Sequence, residues 1–171
     1  MPAVNYVGPG PQSFNGVQWS STHGASVYGY TGGYGFTFNG YWDGGLGPMA
    51  GLNFSSGSMT FYYSVPVQYV GGFINYVPAG SETPSMAIYD DGMNLLESYL
   101  ITFLTGGGTN TGQTLGFDAG APIISYFVLS GAYIGIAGAS PESAIPEPAS
   151  ALLLAGGIGV IAWLRRWRRV C

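Results

Sequence analysis

The chain has 171 residues, of which 7% are charged, and its four basic residues are all arginines within positions 165–169. Seven of its eight acidic residues precede position 146, so this part of the chain carries a formal charge of about −7 with no basic side chain to oppose it. Nucleic-acid binding by phosphate neutralisation is therefore excluded. Neutral glycans, cations and other proteins remain suitable partners, and the length allows one domain followed by a short tail.

Residues 1–14 are rich in proline and glycine and predict an irregular lead-in. From 15 to 138, short aromatic and β-branched runs alternate with Gly, Asn, Asp and Pro, as at 58–63, where Met59, Phe61 and Tyr63 alternate with more polar neighbours. Strands are predicted at 16–20, 26–30, 35–38, 58–64, 68–76, 85–90, 95–103, 114–117, 123–129 and 133–136. Many short strands between turn signals indicate an all-β fold, an antiparallel β-sandwich of jelly-roll-like form over residues 15–138.

Eight aromatic residues crowd a glycine-rich stretch near the start of this domain, namely Trp19, Tyr28, Tyr30, Tyr34, Phe36, Phe38, Tyr41 and Trp42. Most of them are expected to fill the core, since alternating aromatic residues do so in sandwiches. Tyr41, Trp42 and Asp43 precede two glycines and resemble an exposed loop, where flat rings stack on sugars and a carboxylate binds hydroxyl groups. These three residues are the predicted glycan-binding candidates.

The clearest local unit is a hairpin around residues 86–98, with an Asp-Gly pair between two predicted strands. We expect Gly92 to supply the positive φ of this tight turn. Asp90, Asp91 and Asn94 also offer oxygen ligands of the kind that Ca²⁺ takes. The spacing is not that of an EF-hand, so ordinary hairpin chemistry is favoured over a calcium site, and no other cofactor is predicted.

Residues for catalysis are few. The chain has one histidine, His23, in a polar turn, and one cysteine, Cys171, at its end. A nucleophile–base pair and a zinc site both need more such groups. Two carboxylates can hydrolyse a glycoside, but neighbouring Asp90 and Asp91 would point to opposite faces of a strand. We therefore expect a protein that is not an enzyme.

The last part of the chain changes character. A small polar linker at 139–145 leads to Pro146-Glu147-Pro148, an apolar run at about 149–164 and the cluster Arg165, Arg166, Arg168 and Arg169. As a helix, the apolar run rises about 24 Å, enough to cross most of a bilayer when flanking residues reach the interface. Arginine stays on the cytoplasmic side, so these residues predict a transmembrane helix with the preceding domain outside.

This three-part ending over 146–171 resembles the PEP-CTERM sorting tail of bacterial surface proteins. The resemblance implies that a membrane-embedded exosortase recognises Pro146, Glu147 and Pro148, removes the anchor, and releases the protein toward the cell surface or an extracellular polysaccharide matrix. Residues 1–6 have neither the basic nor the apolar region of an export signal. We therefore expect a signal peptide upstream of this start. The function predicted is that of a sorted, non-catalytic surface or matrix protein, and the alternative is a carbohydrate-binding module for exopolysaccharide.

Overall fold

The computed structural model describes residues 1–36, 39–77 and 82–139. These residues contain β-strands and no α-helix, so the all-β prediction is confirmed. The strands are β1 (Tyr6–Val7), β2 (Gln12–Phe14), β3 (Val17–Ser21), β4 (Val27–Tyr30), β5 (Tyr34–Gly35), β6 (Tyr41–Trp42), β7 (Met49–Gly51), β8 (Ser58–Val67), β9 (Tyr69–Asn75), β10 (Ser85–Tyr89), β11 (Leu95–Leu100), β12 (Gln113–Asp118), β13 (Ile124–Ser130) and β14 (Gly135–Ala137).

Twelve of these strands form two antiparallel sheets of six. Sheet A has the order β1-β4-β7-β14-β9-β12, and sheet B has the order β11-β10-β13-β8-β3-β2. The short strands β5 and β6 pair with each other. The last strand of the described residues, β14, lies inside sheet A, where it pairs with β7 on one side and β9 on the other.

The two sheets share one hydrophobic core, which gives the fold its sandwich-like form. Sheet B contributes Met59, Phe61 and Tyr63 from β8, all at most 2% exposed, and sheet A contributes Ile74 and Ile136, both fully buried. Successive side chains of a strand point to opposite faces, so the period-two pattern of β8 buries one face and leaves the other outside. Each fully buried large apolar side chain contributes about 1.5–3 kcal/mol to folding.

Aromatic packing joins the sheets at the start of the domain. Trp19 on β3 of sheet B stacks on Tyr28 on β4 of sheet A, with ring centroids 5.1 Å apart, and Tyr6 meets Trp19 edge-on at 6.4 Å. A smaller cluster near the end of sheet A contains Phe36 and Trp42. The prediction that the aromatic stretch fills the core therefore holds for Trp19, Tyr28 and Phe36, and Trp42 is buried as well, although an exposed position was predicted for it.

The predicted irregular lead-in needs correction, because β1 and β2 lie within residues 1–14. β1 pairs with β4, and β2 forms a hairpin with β3. Asn15 (φ 47°) and Gly16 (φ 78°) are the two residues between β2 and β3. Positive φ at both positions is the geometry that Asn-Gly favours in a two-residue hairpin. This turn signal follows Phe14 directly and identifies the hairpin from sequence.

The hairpin of β10 and β11 is present as predicted, with Met86 opposite Tyr99 and Ala87 opposite Ser98. The expectation for Gly92 is wrong, because the left-handed residue of this turn is Met93, at φ 60°. Hydrogen bonds explain the shift. The Met93 N–H donates to the Asp90 carbonyl at 3.2 Å and closes a four-residue turn around Asp91 and Gly92. The Asp90 N–H donates to the Asn94 carbonyl at 3.1 Å, so Met93 is the extra residue after the turn, a position that takes the left-handed conformation.

The C-terminal boundary of the domain lies slightly later than predicted. Ala139, the first residue of the predicted linker at 139–145, is 7% exposed and belongs to the main core cluster. The core therefore extends past the predicted domain end at residue 138. The rest of the linker lies outside the described residues.

Candidate functional site

The structure separates the three predicted glycan-binding residues. Trp42 is 1% exposed, packs in the small cluster with Phe36, and has its ring centroid 6.0 Å from that of Phe73. Tyr41 is 46% exposed, and Asp43 is also exposed. The predicted exposure of Trp42 is wrong because Tyr41 and Trp42 form strand β6, where adjacent side chains take opposite sides.

Asp43 is held in place by Asn110 from a distant loop. The Asn110 Nδ2 and the Gly45 N–H both donate to Asp43 Oδ1 at 2.7 Å, and the Asp43 N–H donates to Asn110 Oδ1 at 3.3 Å. These bonds, the one from the Asn110 side chain first, lower the pKa of Asp43 below its ordinary value. The predicted site is thus reduced to one exposed ring, Tyr41, beside a charged carboxylate.

The calcium candidates form the end of the β10–β11 hairpin. The Asn94 N–H donates to Asp90 Oδ1 at 2.8 Å, and Asn94 Nδ2 donates to Asp90 Oδ2 at 2.9 Å. The Asn94 side chain and then its N–H lower the pKa of Asp90. Asp91 is exposed. Asp90 and Asn94 therefore bind each other as turn residues do, and no group of three His, Cys, Asp or Glu suited to a metal occurs in the described part of the chain.

Two other reactive groups also have local structural roles. His23 Nδ1 accepts a hydrogen bond from the Ala25 N–H at 3.1 Å, and the His23 ring stacks on Phe54 with centroids 3.6 Å apart and an interplanar angle of 11°. Asp118 accepts hydrogen bonds from Gln68 at 3.1 Å and from the Gly120 N–H at 2.9 Å. These contacts give His23 and Asp118 structural roles in holding turns.

A row of three tyrosines crosses the outer face of sheet B. Tyr89 on β10 is opposite Tyr126 on β13, and Tyr126 is opposite Tyr62 on β8. Their strand neighbours Ile88 and Phe127 point into the core and are at most 1% exposed, so the tyrosines point outward and are half-buried. The rings of Tyr62 and Tyr126 have centroids 5.0 Å apart and an interplanar angle of 36°.

Sequence reasoning missed this tyrosine row because its members belong to three distant segments of the chain. Each tyrosine occupies an outward-facing position in the alternating pattern of its own strand, and this alternation is present in the sequence. The strand order β10-β13-β8 and the register between the strands bring the three together, and neither follows from the pattern within a single segment.

Polar groups extend and flank the tyrosine row. Gln18 on β3 is opposite Tyr62, and Ser13 on β2 is opposite Gln18. Thr60 on β8 and Ser20 on β3 are opposite each other. They lie two residues from Tyr62 and Gln18 along these strands, about 7 Å from the row. At the other end, Leu95 of edge strand β11 is opposite Tyr89. The outer face thus combines aromatic rings with hydroxyl and amide groups.

A cavity of about 340 Å³ opens at the end of the sheet next to this row. Its lining includes Asp90 and Asp91, which follow Tyr89 in the chain, and Ser125, which precedes Tyr126. A second cavity, of about 450 Å³, lies beside an irregular stretch of β8 and is lined largely by apolar residues, including Val65 and Pro66.

The described residues form a small acidic all-β domain, and a segment that matches a known family model follows it. A family model described as PEP-CTERM protein-sorting motif matches residues 144–169. The chain therefore carries a PEP-CTERM sorting segment, as its resemblance predicts, and this segment marks it as a substrate for exosortase-dependent sorting. No curated protein and no solved structure matches the chain.

The sorting segment itself lies outside the described residues. It includes the predicted helix at 149–164, the processing motif and the arginine cluster, that is Pro146, Glu147, Pro148, Arg165, Arg166, Arg168 and Arg169. Within residues 1–36, 39–77 and 82–139, no helix has the length and apolar character needed to cross a membrane.

Proposed function

We propose that this chain is an exported surface or extracellular-matrix protein with a non-catalytic ectodomain. Its ectodomain is a jelly-roll-like β-sandwich, and a single transmembrane helix at about 149–164 anchors the precursor. The observation that carries the proposal is the sorting motif at 144–169, placed directly after an all-β domain that ends near residue 139. An exosortase-type protease then removes the anchor and releases the domain.

Charge supports the orientation of the precursor. The four arginines follow the apolar run, and every described residue before it lacks a basic side chain. The positive-inside bias keeps such a cluster in the cytoplasm, which places the acidic domain outside. A domain of this size without a disulfide is stabilised by packing, as its two-sheet core provides.

Two observations support a role without catalysis. His23 is engaged with Ala25 and Phe54, and Asp43, Asp90 and Asp118 all accept hydrogen bonds in turns. Each of these groups thus takes part in a local structural contact. A structural or binding role therefore agrees best with the chemistry of the domain.

The test is the intact mass and the location of the protein in its native host, with and without the exosortase. We expect a C-terminally shortened form outside the cell only when the exosortase is present. Glu147→Ala should block the shortening, whereas Glu142→Ala, outside the matched residues 144–169, should not. A full-length membrane protein in both strains would refute sorting, and equal effects of the two substitutions would refute recognition through Glu147.

A second candidate function is binding of exopolysaccharide through exposed aromatic residues. Tyr41 and Asp43 favour it by their exposure, and Asn110 holds Asp43 in a defined position. With Trp42 buried, however, this loop offers one ring instead of two. The tyrosine row on sheet B offers a larger aromatic surface.

A further inference from the structure

We propose that the tyrosine row on the outer face of sheet B binds a neutral polysaccharide chain that lies across the strands. The row consists of Tyr89, Tyr126 and Tyr62. This inference rests on the second candidate function and gives it a site other than the Tyr41–Asp43 loop.

The fold does not require aromatic residues at these three positions. The core is filled from the other face of the same strands, where Ile88 and Phe127 are at most 1% exposed. Other outward positions of the same sheet carry small residues, including Ala87, which is opposite Val128. Three large rings in one row, on the half-exposed side of the sheet, therefore form a distinct aromatic surface.

The geometry of the row suits an extended polymer. Neighbouring strands are about 4.8 Å apart, and the ring centroids of Tyr62 and Tyr126 are separated by 5.0 Å. The three tyrosines lie in register along one line across the strands, and the rings of Tyr62 and Tyr126, tilted against each other, form a joint apolar surface. The apolar face of a sugar ring stacks on such a surface, while the phenolic hydroxyl groups remain available to water and to sugar hydroxyl groups.

Polar groups beside the row suit the hydroxyl groups of sugars. Gln18 and Ser13 continue the line beyond Tyr62, and Thr60 lies one outward position away on β8. The acidic cavity next to Tyr89, with Asp90 and Asp91 in its lining, adds carboxylate acceptors at the other end. A bound chain would therefore contact rings along its middle and hydrogen-bonding groups at its sides.

Charge selects the class of polysaccharide. The described residues include six carboxylates and no lysine or arginine. An anionic polysaccharide would be repelled and would find no basic partner, whereas a neutral one meets no such barrier. The same charge balance disfavours a second copy of this chain on the face, because both surfaces would be acidic.

The experiment measures glycan binding to the full chain, purified in detergent, by calorimetry and affinity electrophoresis. The probes are cellohexaose, mannohexaose, the neutral polysaccharide fraction secreted by the native host, and polygalacturonate as the anionic control. We expect saturable binding of at least one neutral probe and none of polygalacturonate. Tyr126→Ala, which removes the middle ring, should weaken binding at least about tenfold.

Matched variants separate stacking from other effects. Tyr126→Phe keeps the ring and should bind within about threefold of the unmodified chain. Tyr41→Ala removes the ring of the rival site at the Tyr41–Asp43 loop, so binding that depends on this loop instead of the row would be lost in this variant. Far-UV circular dichroism and thermal unfolding check the fold of each variant, and Tyr62→Ala replaces Tyr126→Ala if the latter does not fold.

Three results would overturn the proposal: no binding of any neutral probe, full binding by Tyr126→Ala, or loss of binding in Tyr41→Ala alone. A change of sedimentation coefficient in Tyr126→Ala without glycan binding would instead identify the row as a protein contact. Because glycan binding is measured on the purified chain and sorting on cells, either can fail while the other holds.

Discussion

Replacement of Trp42 separates two roles that the sequence leaves open for this residue. If Trp42 binds glycan from a loop, Trp42→Ala leaves the domain stable. In the structure its ring is 1% exposed and packs with Phe36, Met49 and Ala137, and it also contacts Phe73. We therefore expect Trp42→Ala to act on stability, because it leaves a cavity in the smaller core cluster.

The expected loss is about 3–5 kcal/mol, the usual cost of truncating a buried Trp to Ala. For a domain of this size, such a loss lowers the melting temperature by about 10 °C or more. Trp42→Phe should cost only about 1–2 kcal/mol, because it keeps most of the packing and removes an indole N–H that has no hydrogen-bond partner among the described residues.

Tyr41→Ala is the matched control, since Tyr41 is the neighbouring residue of β6 and is 46% exposed. Its effect should stay within about 0.5 kcal/mol. Urea unfolding followed by far-UV circular dichroism gives the free energy of unfolding of all three variants. Equal losses in Trp42→Ala and Tyr41→Ala, or a loss in Trp42→Ala below about 1 kcal/mol, would contradict the burial argument.

Further predictions concern the β10–β11 turn and the left-handed Gly29 of strand β4. Met93→Gly should stabilise the domain by about 1 kcal/mol, because Met93 is 54% exposed and has φ 60°, a conformation that glycine adopts without strain. Thermal unfolding measures the gain, and a lower melting temperature would contradict it. Gly29→Ala should lower the free energy of unfolding by about 1–3 kcal/mol in the same assay, because residue 29 has φ +62° and the new Cβ would lie 2.3 Å from the Pro2 carbonyl oxygen. An unchanged melting temperature would show that residues 1–4 move away freely. Because the pKa of Asp90 is lowered from 3.8 in the folded state, its ionisation supports stability above that value, and the support is lost as the pH falls through the folded-state pKa. Asn94→Ala removes the main cause of the lowered pKa and should raise the pKa of Asp90 in an NMR titration. Ca²⁺ should leave the melting temperature of the unmodified chain unchanged. A higher melting temperature with Ca²⁺ would instead support a calcium site at this turn.

The sequence predicts much of sheet B and less of sheet A. β8 and β10 alternate clearly, and turn residues mark the hairpin between β10 and β11, so the existence of these strands follows from local pattern. β6 and β7 have only two and three residues, too few to show a period of two. They exist because neighbouring strands provide hydrogen-bond partners, and this information is not local.

The candidate sites also differ in how far the sequence predicts them. The sorting motif is continuous in the chain, so residues 146–148 and the arginine cluster were predictable and the family model matches them. The tyrosine row depends on which strands are neighbours and in what register. Trp42 was misplaced because an aromatic residue before Asp-Gly-Gly indicates a loop, whereas pairing with β5 makes it part of a strand whose inward side faces Phe73.

The position of β14 imposes an order on the assembly of the domain during synthesis. β7 and β9 do not pair with each other, so sheet A remains in two parts until residues 135–137 take their place between them. Pairings between such distant segments form slowly, and the ribosome delivers β14 after every other strand of the described residues. The residues that complete sheet A are thus synthesised shortly before the sorting segment at 144–169, and a nascent chain that ended before residue 135 would leave both β7 and β9 with an open edge.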